Sequence, residues 1–267
     1  VLMDTKKWFL ENLPVELRKE INKCAWEQNT VGMSGAYTYR LTDAKKQNRY
    51  LKIMPKVLNN SLKRETEIMK WLEGKLPVPK VLLFINDQEY EYLLMTEVEG
   101  AFACDPSFNS DMPRLVRLLA EGLRMIHSID IKECPFDSRL EIKLKEAEYR
   151  VKNGLVDEDN FDHIRQGMKD VEVLEELYKL KPADEDLVFT HGDYCLPNIF
   201  INNGKLSGFI DWGRGGVADR YQDLALAARS LEHNFDAKWV PLLFKEYGIE
   251  NIDYSKVEYY KLLDELF

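Results

Sequence analysis

Alternation of apolar and polar residues in the first hundred positions predicts a small β-sheet. Residues 37–41 and 49–53 are rich in aromatic and β-branched side chains and flank a polar segment over 43–48, which is the pattern of a hairpin. Residues 81–85 and 90–96 have the same character and predict two further strands. The N-terminal part of the chain is therefore expected to form an antiparallel sheet.

A helical period interrupts this sheet pattern. Leu62, Ile68, Met69 and Leu72 recur at the spacing of one helix face, and Ser61 stands where a side chain would cap the first turn. The sequence therefore predicts one helix over residues 61–72 within the sheet-forming region.

Helical periodicity dominates beyond residue 100. The strongest segment covers 113–129, where leucines line one broad face and Asp111 is a suitable N-cap. Ser255 and Glu258 have the spacing of a capping box at the start of the last helix. Besides the strongest segment, helices are predicted near 138–153, 170–180, 220–232, 237–247 and 255–266.

Two short strands, at 199–201 and 206–210, are predicted inside the helical region and are joined by an Asn-Asn-Gly turn. Together the elements predict an α+β protein with two lobes. The first is a small antiparallel β-sheet lobe with one key helix, and the second is larger and mostly helical. We place the first lobe over residues 1–97, a hinge over 98–102 and the second lobe over 103–267.

The balance of charge narrows the classes of ligand. The chain of 267 residues carries 37 Lys and Arg against 46 Asp and Glu, a net charge of −9 with a pI near 5.2. The sequence has no basic stripe that would displace the counterions of a nucleic acid, and no apolar run of membrane-spanning length. We therefore expect neither partner, whereas an acidic surface suits a cationic small molecule.

The cysteine pattern and the first residues of the chain indicate the cellular compartment. The four cysteines are scattered without a CxxC, and the chain does not open with a basic segment followed by an apolar one. Both features favour a reducing, cytoplasmic location. The sequence does not fix the oligomeric state, for which we expect a monomer or a weak dimer.

The segment 191–198, taken with Asp211, carries the most specific chemical signal. Asp193 is followed five positions later by Asn198, and Asp211 comes directly after the predicted hairpin. In kinases this order supplies a carboxylate at the acceptor hydroxyl and two oxygen ligands for Mg²⁺. Each residue alone is a common turn former, but their combination around a hairpin is much rarer. We therefore predict Asp193 as the catalytic residue and Asn198 and Asp211 as metal ligands.

Upstream residues match the nucleotide-binding parts of a kinase. Lys52 lies in a predicted strand and Glu65 on the following helix, which is the order of the lysine that contacts nucleotide phosphates and its glutamate partner. The loop over 31–36 contains two glycines, and Ser34 is placed to donate to a phosphate oxygen. The chain has no GxxxxGK[ST], which argues against a P-loop enzyme.

Thr96 and Val98 lie where the two predicted lobes join, and a kinase contacts adenine there with backbone groups. We predict these two residues as the adenine contacts, with an ordinary strand end as the alternative interpretation. The expected cofactors are therefore ATP, with GTP also possible, and Mg²⁺.

The segment after Asp211 argues against a regulated protein kinase. Gly192 stands where protein kinases carry an arginine, and Asp219 follows too closely for a long activation loop. The phosphoryl acceptor is therefore expected to be a small molecule. Asp219 is interpreted as an N-cap. Asp223 is interpreted as a residue that supports the segment 191–198, which carries Asp193 and is called the catalytic loop below.

Four stretches carry a family resemblance: His191-Gly-Asp-Tyr-Cys-Leu-Pro-Asn198, Ser207-Gly-Phe-Ile-Asp-Trp-Gly-Arg214, Trp71-Leu-Glu-Gly-Lys-Leu-Pro-Val-Pro-Lys80 and the ending Leu262-Leu-Asp-Glu-Leu-Phe267. From about residue 30 onward the chain resembles the bacterial aminoglycoside 3′-phosphotransferases. The resemblance implies a two-lobed protein-kinase-like fold. It also implies phosphorylation of the 3′-hydroxyl of kanamycin- and neomycin-type antibiotics by MgATP, which confers resistance.

Carried over position by position, the resemblance also implies a drug-binding side. Asp264, Glu265 and the carboxylate of Phe267 would bind amino groups of the drug, which suits a polycationic sugar. Glu232 and Arg214 are further residues expected there, with a structural salt bridge as the alternative for Arg214. Asp157 and Glu158 are expected to cover the substrate as a lid. A solvated acidic loop is the alternative for the last two. The chain departs from some relatives after Leu231, where they have an acidic pair and this chain has Glu232-His233-Asn234.

Two other functions stay open at this point. One is a kinase of the same fold for another substrate, such as choline, methylthioribose or a macrolide, although the acidic ending favours an aminoglycoside. The other is a nucleotide-binding protein without catalysis, which would predict the loss of Asp193 or of a metal ligand, and none is lost.

Overall fold

The computed structural model describes residue 9 and residues 11–29, 35–58 and 61–267. The chain divides into two compact units. The first extends from the first described residue to Glu73 and continues over Val78–Val98, and the second comprises Gly74–Pro77 and Glu99–Phe267. Strands and helices both contribute, which confirms the predicted α+β class. No helix in the described ranges has the length and apolarity needed to cross a bilayer.

The first unit is built on a five-stranded antiparallel sheet in the order β1-β2-β3-β5-β4. The predicted hairpin is confirmed as β2 and β3, in which Lys52 pairs with Thr38. β1 was not predicted, because its central Trp26-Glu27-Gln28 has little apolar character. The strands are β1 (Ala25–Asn29), β2 (Tyr37–Thr42), β3 (Asn48–Pro55), β4 (Val81–Asn86) and β5 (Tyr90–Thr96).

Two helices of this unit are α1 (Val15–Glu20) and α2 (Leu62–Leu72). The Ser61 hydroxyl accepts the Lys63 N–H at 3.1 Å, which confirms the predicted N-cap of α2. Leu17 of α1 is fully buried in a core that it shares with Leu41, Leu51 and Leu94 of the sheet. Glu65 lies in the first turn of α2 and is buried.

The second unit is mainly helical. Asp111 accepts the Arg114 N–H and caps the first of its α-helices, as predicted. The last helix begins one residue earlier than expected, because Asp253 accepts the N–H groups of Ser255 and Lys256; the predicted Ser255 cap is wrong. These helices are α3 (Met112–His127), α4 (Leu140–Lys152), α5 (Asp170–Leu180), α6 (Tyr221–Asn234), α7 (Val240–Tyr247) and α8 (Tyr254–Asp264).

Short strands in the second unit position the candidate site. The predicted hairpin is confirmed as β8 (Ile199–Asn202) and β9 (Lys205–Phe209), which β6 (Ala101–Phe102) extends. β7 (Leu187–Thr190) pairs with β10 (Gly216–Asp219) and leads into the segment 191–198. Because β10 and a short turn occupy the residues after Asp211, the segment has no room for a long activation loop.

Candidate active site

Asp193 and Asn198 are in direct contact. The Asn198 side-chain nitrogen donates to the Asp193 backbone oxygen and to Asp193 Oδ2, both at 3.0 Å. Asn198 ends a 3₁₀ turn (Leu196–Asn198) that leads into β8, so its backbone is fixed by the hairpin. Because the amide nitrogen makes both bonds, Oδ1 of Asn198 is the side-chain atom that is left to bind a cation.

The return strand of the hairpin brings the backbone directly before Asp211 back to Asn198. Ile210 N–H donates to the Asn198 backbone oxygen at 3.0 Å, and Asp211 follows directly. Asp211 has φ 63° and ψ 57°, a left-handed conformation that is uncommon for residues other than glycine. Such backbone strain costs about 1–3 kcal/mol and is concentrated at functional sites.

The donor set of this segment suits magnesium. Asn198 Oδ1 and the Asp211 carboxylate are hard oxygen ligands, and Mg²⁺ typically completes its shell with water and substrate phosphates. Within the described ranges no group of three or more His, Cys, Asp or Glu side chains forms a metal-binding cluster.

His191 joins the catalytic loop to the Asp211 segment. The Asp193 backbone N–H donates to His191 Nδ1 at 3.2 Å, so the ring hydrogen is on Nε2, which lies 2.9 Å from the Ile210 carbonyl oxygen. The ring is fully buried and its centroid is 4.4 Å from that of Trp212. This link was not identified in the sequence, because only the fold shows that Ile210 returns to His191.

Asp223 on α6 supports the same loop, as predicted. Its Oδ2 accepts the His191 N–H at 2.7 Å and its Oδ1 accepts the Gly192 N–H at 2.8 Å. The carboxylate is fully buried and also lies 3.1 Å from His127 Nε2. The predicted Asp219 N-cap is wrong, because Arg220 is the N-cap residue of α6. Asp219 accepts the Tyr221 N–H and forms a buried ion pair with Lys256.

The predicted nucleotide residues lie in the first unit. Lys52 Nζ is 2.7 Å from Glu65 Oε1, and both residues are buried, so the structure brings this pair together. The Thr96 N–H donates to the Lys80 carbonyl oxygen at 3.0 Å, and the Lys80 N–H donates to the Thr96 hydroxyl oxygen at 2.9 Å. Val98 is partly exposed. Ser34 lies outside the described residues.

Glu97, between Thr96 and Val98, anchors this connector to the sheet. Its Oε1 accepts a bond from Arg40 at 2.8 Å and its Oε2 accepts one from Asn48 at 2.7 Å. The pKa of Arg40 is raised chiefly by its hydrogen bond to Glu97. The backbone on either side of Glu97 is therefore held by contacts within the first unit.

Asp264 lies between two arginines. Its Oδ1 is 2.7 Å from Arg214, and its Oδ2 is bonded to Arg229. Burial acts to raise the pKa of Asp264, but the two guanidinium groups outweigh it and hold the pKa below its ordinary value. Arg214 and Asp264 were both predicted as drug-binding residues, and the structure brings them into contact with each other.

Glu265 and Phe267 are also engaged by cationic neighbours. Glu265 pairs with Arg165 at 3.0 Å, and its side chain is only 2% exposed. Burial raises the pKa of Glu265, and it outweighs the opposing effects of the Asp162 backbone N–H and of Arg165. The Phe267 ring lies near Lys143 and Arg150, whose charged groups are 4.7 and 5.7 Å from its centroid.

The remaining predicted acidic residues lie in separate contacts. Glu232 pairs with Lys261 at 3.1 Å. Glu158 pairs with Lys169 at 2.7 Å, and Asp157 accepts the backbone N–H of Asp159. The carboxylates proposed to bind a cationic drug are therefore all engaged by the protein's own donors. The arginines that take part, 165 and 229, were not identified from the sequence.

With this geometry established, the chain can be compared with known proteins. Residues 26–260 match the model of the phosphotransferase enzyme family. The chain is 42% identical to an aminoglycoside 3′-phosphotransferase of Niallia circulans, covering 96% of this chain and 98% of that protein. Among solved structures, the aminoglycoside-3′-phosphotransferase of type VIII superposes with a TM-score of 0.86 at 33% identity, covering 94% of this chain and 97% of that one.

A further solved structure carries ligands. The aminoglycoside phosphotransferase APH(3″)-Id of Streptomyces rimosus, in complex with ADP and streptomycin, has a TM-score of 0.80 at 27% identity, covering 98% of this chain and 97% of that one. These likenesses confirm the predicted kinase-like fold and the resemblance found in the sequence.

Proposed function

We propose that this chain, which belongs to the phosphotransferase enzyme family, transfers the γ-phosphoryl group of MgATP to the 3′-hydroxyl of kanamycin- and neomycin-type aminoglycosides. The observation that carries the proposal is the contact between Asp193 and Asn198 at the end of the hairpin that leads to Asp211. Relatives with this activity in their names match nearly the whole chain. Resistance to these antibiotics is the expected consequence.

In this proposal Asp193 acts on the acceptor hydroxyl. Its carboxylate orients the hydroxyl and takes its proton, while a new bond forms from the sugar oxygen to the γ-phosphorus and the bond from that phosphorus to the ADP oxygen breaks. Asn198 Oδ1 and the Asp211 carboxylate would hold Mg²⁺. The bound ion would neutralise charge that develops on the phosphate oxygens.

The first unit is assigned to the nucleotide. Lys52, oriented by its short ion pair with Glu65, would contact the phosphates. The Thr96 carbonyl and the Val98 N–H would contact adenine, and the anchoring of Glu97 supports a fixed geometry for both groups. Ser34 stays assigned to the phosphates from the sequence. GTP is proposed as a second possible donor.

The drug is assigned to the acidic residues of the second unit. Because Asp264, Glu265, Glu232 and Glu158 already have cationic partners, drug ammonium groups are expected to join these ion pairs rather than to meet unpaired carboxylates. Glu232 and Glu158 are more exposed than Asp264 and Glu265 and are the more accessible of the four. Arg214, Asp157 and Phe267 complete the proposed set. We propose that the enzyme acts in the cytoplasm as a monomer or weak dimer.

A coupled assay of ADP release tests the substrate. Kanamycin and neomycin should stimulate turnover, whereas choline and buffer alone should not. A 3′-deoxy aminoglycoside is the matched control, because it keeps the amino groups and lacks the proposed acceptor oxygen. Phosphorylation of that analogue at the rate of kanamycin would refute the 3′ assignment, and stimulation by choline alone would refute the substrate class.

Asp193→Ala tests the mechanism in the same assay. We expect kcat to fall by several orders of magnitude with nucleotide affinity nearly unchanged, because the residue acts on the acceptor and not on ATP. Nucleotide affinity is measured by calorimetry on the same preparation. Turnover at the wild-type rate would remove Asp193 from its proposed role.

A further inference from the structure

The thiol of Cys195 is hydrogen-bonded to the proposed catalytic carboxylate. Its Sγ lies 3.1 Å from Asp193 Oδ1, and the Cys195 backbone N–H donates to the Asp193 carbonyl oxygen at 2.8 Å. The contact is local and geometrically fixed, since the two residues are separated only by Tyr194. The Tyr194 side chain is fully buried and its hydroxyl donates to the Leu119 carbonyl oxygen. The loop that presents the thiol is therefore anchored in the core.

The electrostatic environment keeps the thiol in its donor form. Burial raises the pKa of Cys195 well above its ordinary value, and the neighbouring carboxylates of Asp193 and Asp264 raise it further. A thiol is a weak donor and a thiolate is none. At neutral pH the group facing Asp193 Oδ1 is therefore S–H, and a carboxylate oxygen is its acceptor.

The two oxygens of Asp193 are consequently held by two different side chains. Asn198 donates to Oδ2 at 3.0 Å, and Cys195 donates to Oδ1. One donor would allow the carboxylate to rotate about its last side-chain bond, whereas two donors on opposite oxygens fix the plane of the group. A fixed plane leaves a defined lone-pair direction for the acceptor hydroxyl.

We propose that Cys195 is a positioning residue for phosphoryl transfer: its thiol, opposite the amide of Asn198, sets the orientation of the Asp193 carboxylate. This inference rests on the function proposed above for Asp193. It assigns to the cysteine a hydrogen-bonding role, not that of a nucleophile or a redox group. A purely space-filling role would instead make any small side chain at position 195 equally good.

The test compares Cys195→Ala with Cys195→Ser in the full chain. Alanine removes the donor, and serine replaces it with a stronger one of similar size. We expect kcat to fall by about 2- to 10-fold in Cys195→Ala, the range that corresponds to one net hydrogen bond, with KM for ATP unchanged. We expect Cys195→Ser to recover kcat to near the wild-type value.

Cys134→Ala is the matched control. Its thiol also donates to an oxygen, the Phe136 carbonyl at 3.7 Å, but it lies outside the catalytic loop. Thermal unfolding and ATP binding, measured on every variant, separate a loss of folded protein from a loss of orientation. If Cys195→Ser misfolds, Cys195→Thr offers a second hydroxyl donor for the same comparison.

The outcomes separate this inference from the proposed function. Wild-type kcat in Cys195→Ala, or equal losses in the alanine and both hydroxyl variants, would overturn the positioning role while Asp193→Ala remains inactive. Full activity of Asp193→Ala would instead refute the role proposed for Asp193, on which this inference rests. The inference requires three results together. The value of kcat falls in Cys195→Ala, recovers when a hydroxyl donor replaces the thiol, and is unchanged in Cys134→Ala.

Discussion

Replacing Gly192 with alanine tests whether close packing of the Gly192 backbone against the Arg214 backbone fixes the position of the catalytic loop. Gly192 has φ +80°, and a Cβ added there would lie 2.2 Å from the Arg214 carbonyl oxygen. Cβ atoms essentially never approach closer than 3.0 Å, so the two backbones would have to separate by 0.8 Å (3.0 − 2.2). The displacement falls on the residue directly before Asp193.

Gly74 provides a matched control in the same chain. Its φ is +79°, and an added Cβ would meet nothing within 4 Å. Both alanine variants therefore bear the same cost of a left-handed backbone, about 1–2 kcal/mol, and only Gly192→Ala displaces the loop. Because a misplacement of about 1 Å can lower a rate by about 100-fold, we expect a loss of that order in kcat for Gly192→Ala. Gly74→Ala should stay near the wild-type rate.

The measurement is kcat at saturating ATP and kanamycin, together with the melting temperature of each variant. At about 2–4 °C per kcal/mol for a chain of this size, the control should melt several degrees below the wild type. Gly192→Ala should melt lower than the control. Equal kcat and equal melting temperatures for the two variants would show that the two segments do not constrain each other, and the reasoning would fail.

Asp223→Asn leaves one acceptor oxygen for the N–H groups of His191 and Gly192, so one buried donor loses its partner. The free energy of unfolding should therefore fall by about 1–3 kcal/mol. Unchanged amide hydrogen exchange at both residues would contradict this prediction. Lys52→Met removes the ammonium group beside the buried Glu65; calorimetry should show weaker ATP binding, and wild-type affinity would exclude the phosphate role. The pKa of Asp264 is lowered in the folded protein, so its stabilising effect is present above its ordinary pKa and is lost as pH falls through the lowered value. Urea unfolding of Asp264→Asn should therefore lose less stability on acidification than the wild type, and parallel curves would contradict that.

The contact between Asp193 and Asn198 was predictable because its geometry is encoded locally. Asp193 and Asn198 are five positions apart and meet within one turn, and a short hairpin returns the chain to Asn198 just before Asp211. Elements with a strong period were predictable for the same reason. α2 begins after its predicted cap, and α5 (Asp170–Leu180) has its predicted bounds.

The features that were not predicted depend on residues that are far apart in sequence. Asp264 meets Arg214 and Arg229, which are 50 and 35 positions away, and Glu265 meets Arg165 at 100 positions. No local pattern indicates such pairing. β7 and β10 have four residues each and become strands only because they pair with each other. The cap of α8 was misassigned because Asp253 and Ser255 are both good caps and only the backbone decides between them.

The Asp193 loop and the acidic residues assigned to the drug are held by different kinds of contact. Variants in the two regions should therefore change different kinetic constants. The Asp193 loop is fixed by backbone N–H groups bonded to the buried Asp223 carboxylate and by the His191 ring. The acidic residues assigned to the drug are fixed by ion pairs, several of them partly exposed, which a drug ammonium group is expected to join. Changes around Asp193 should therefore act on kcat, because they alter preorganised catalytic geometry. Changes among the ion pairs should act on KM for the drug, and they should depend on salt, because exposed charges are screened.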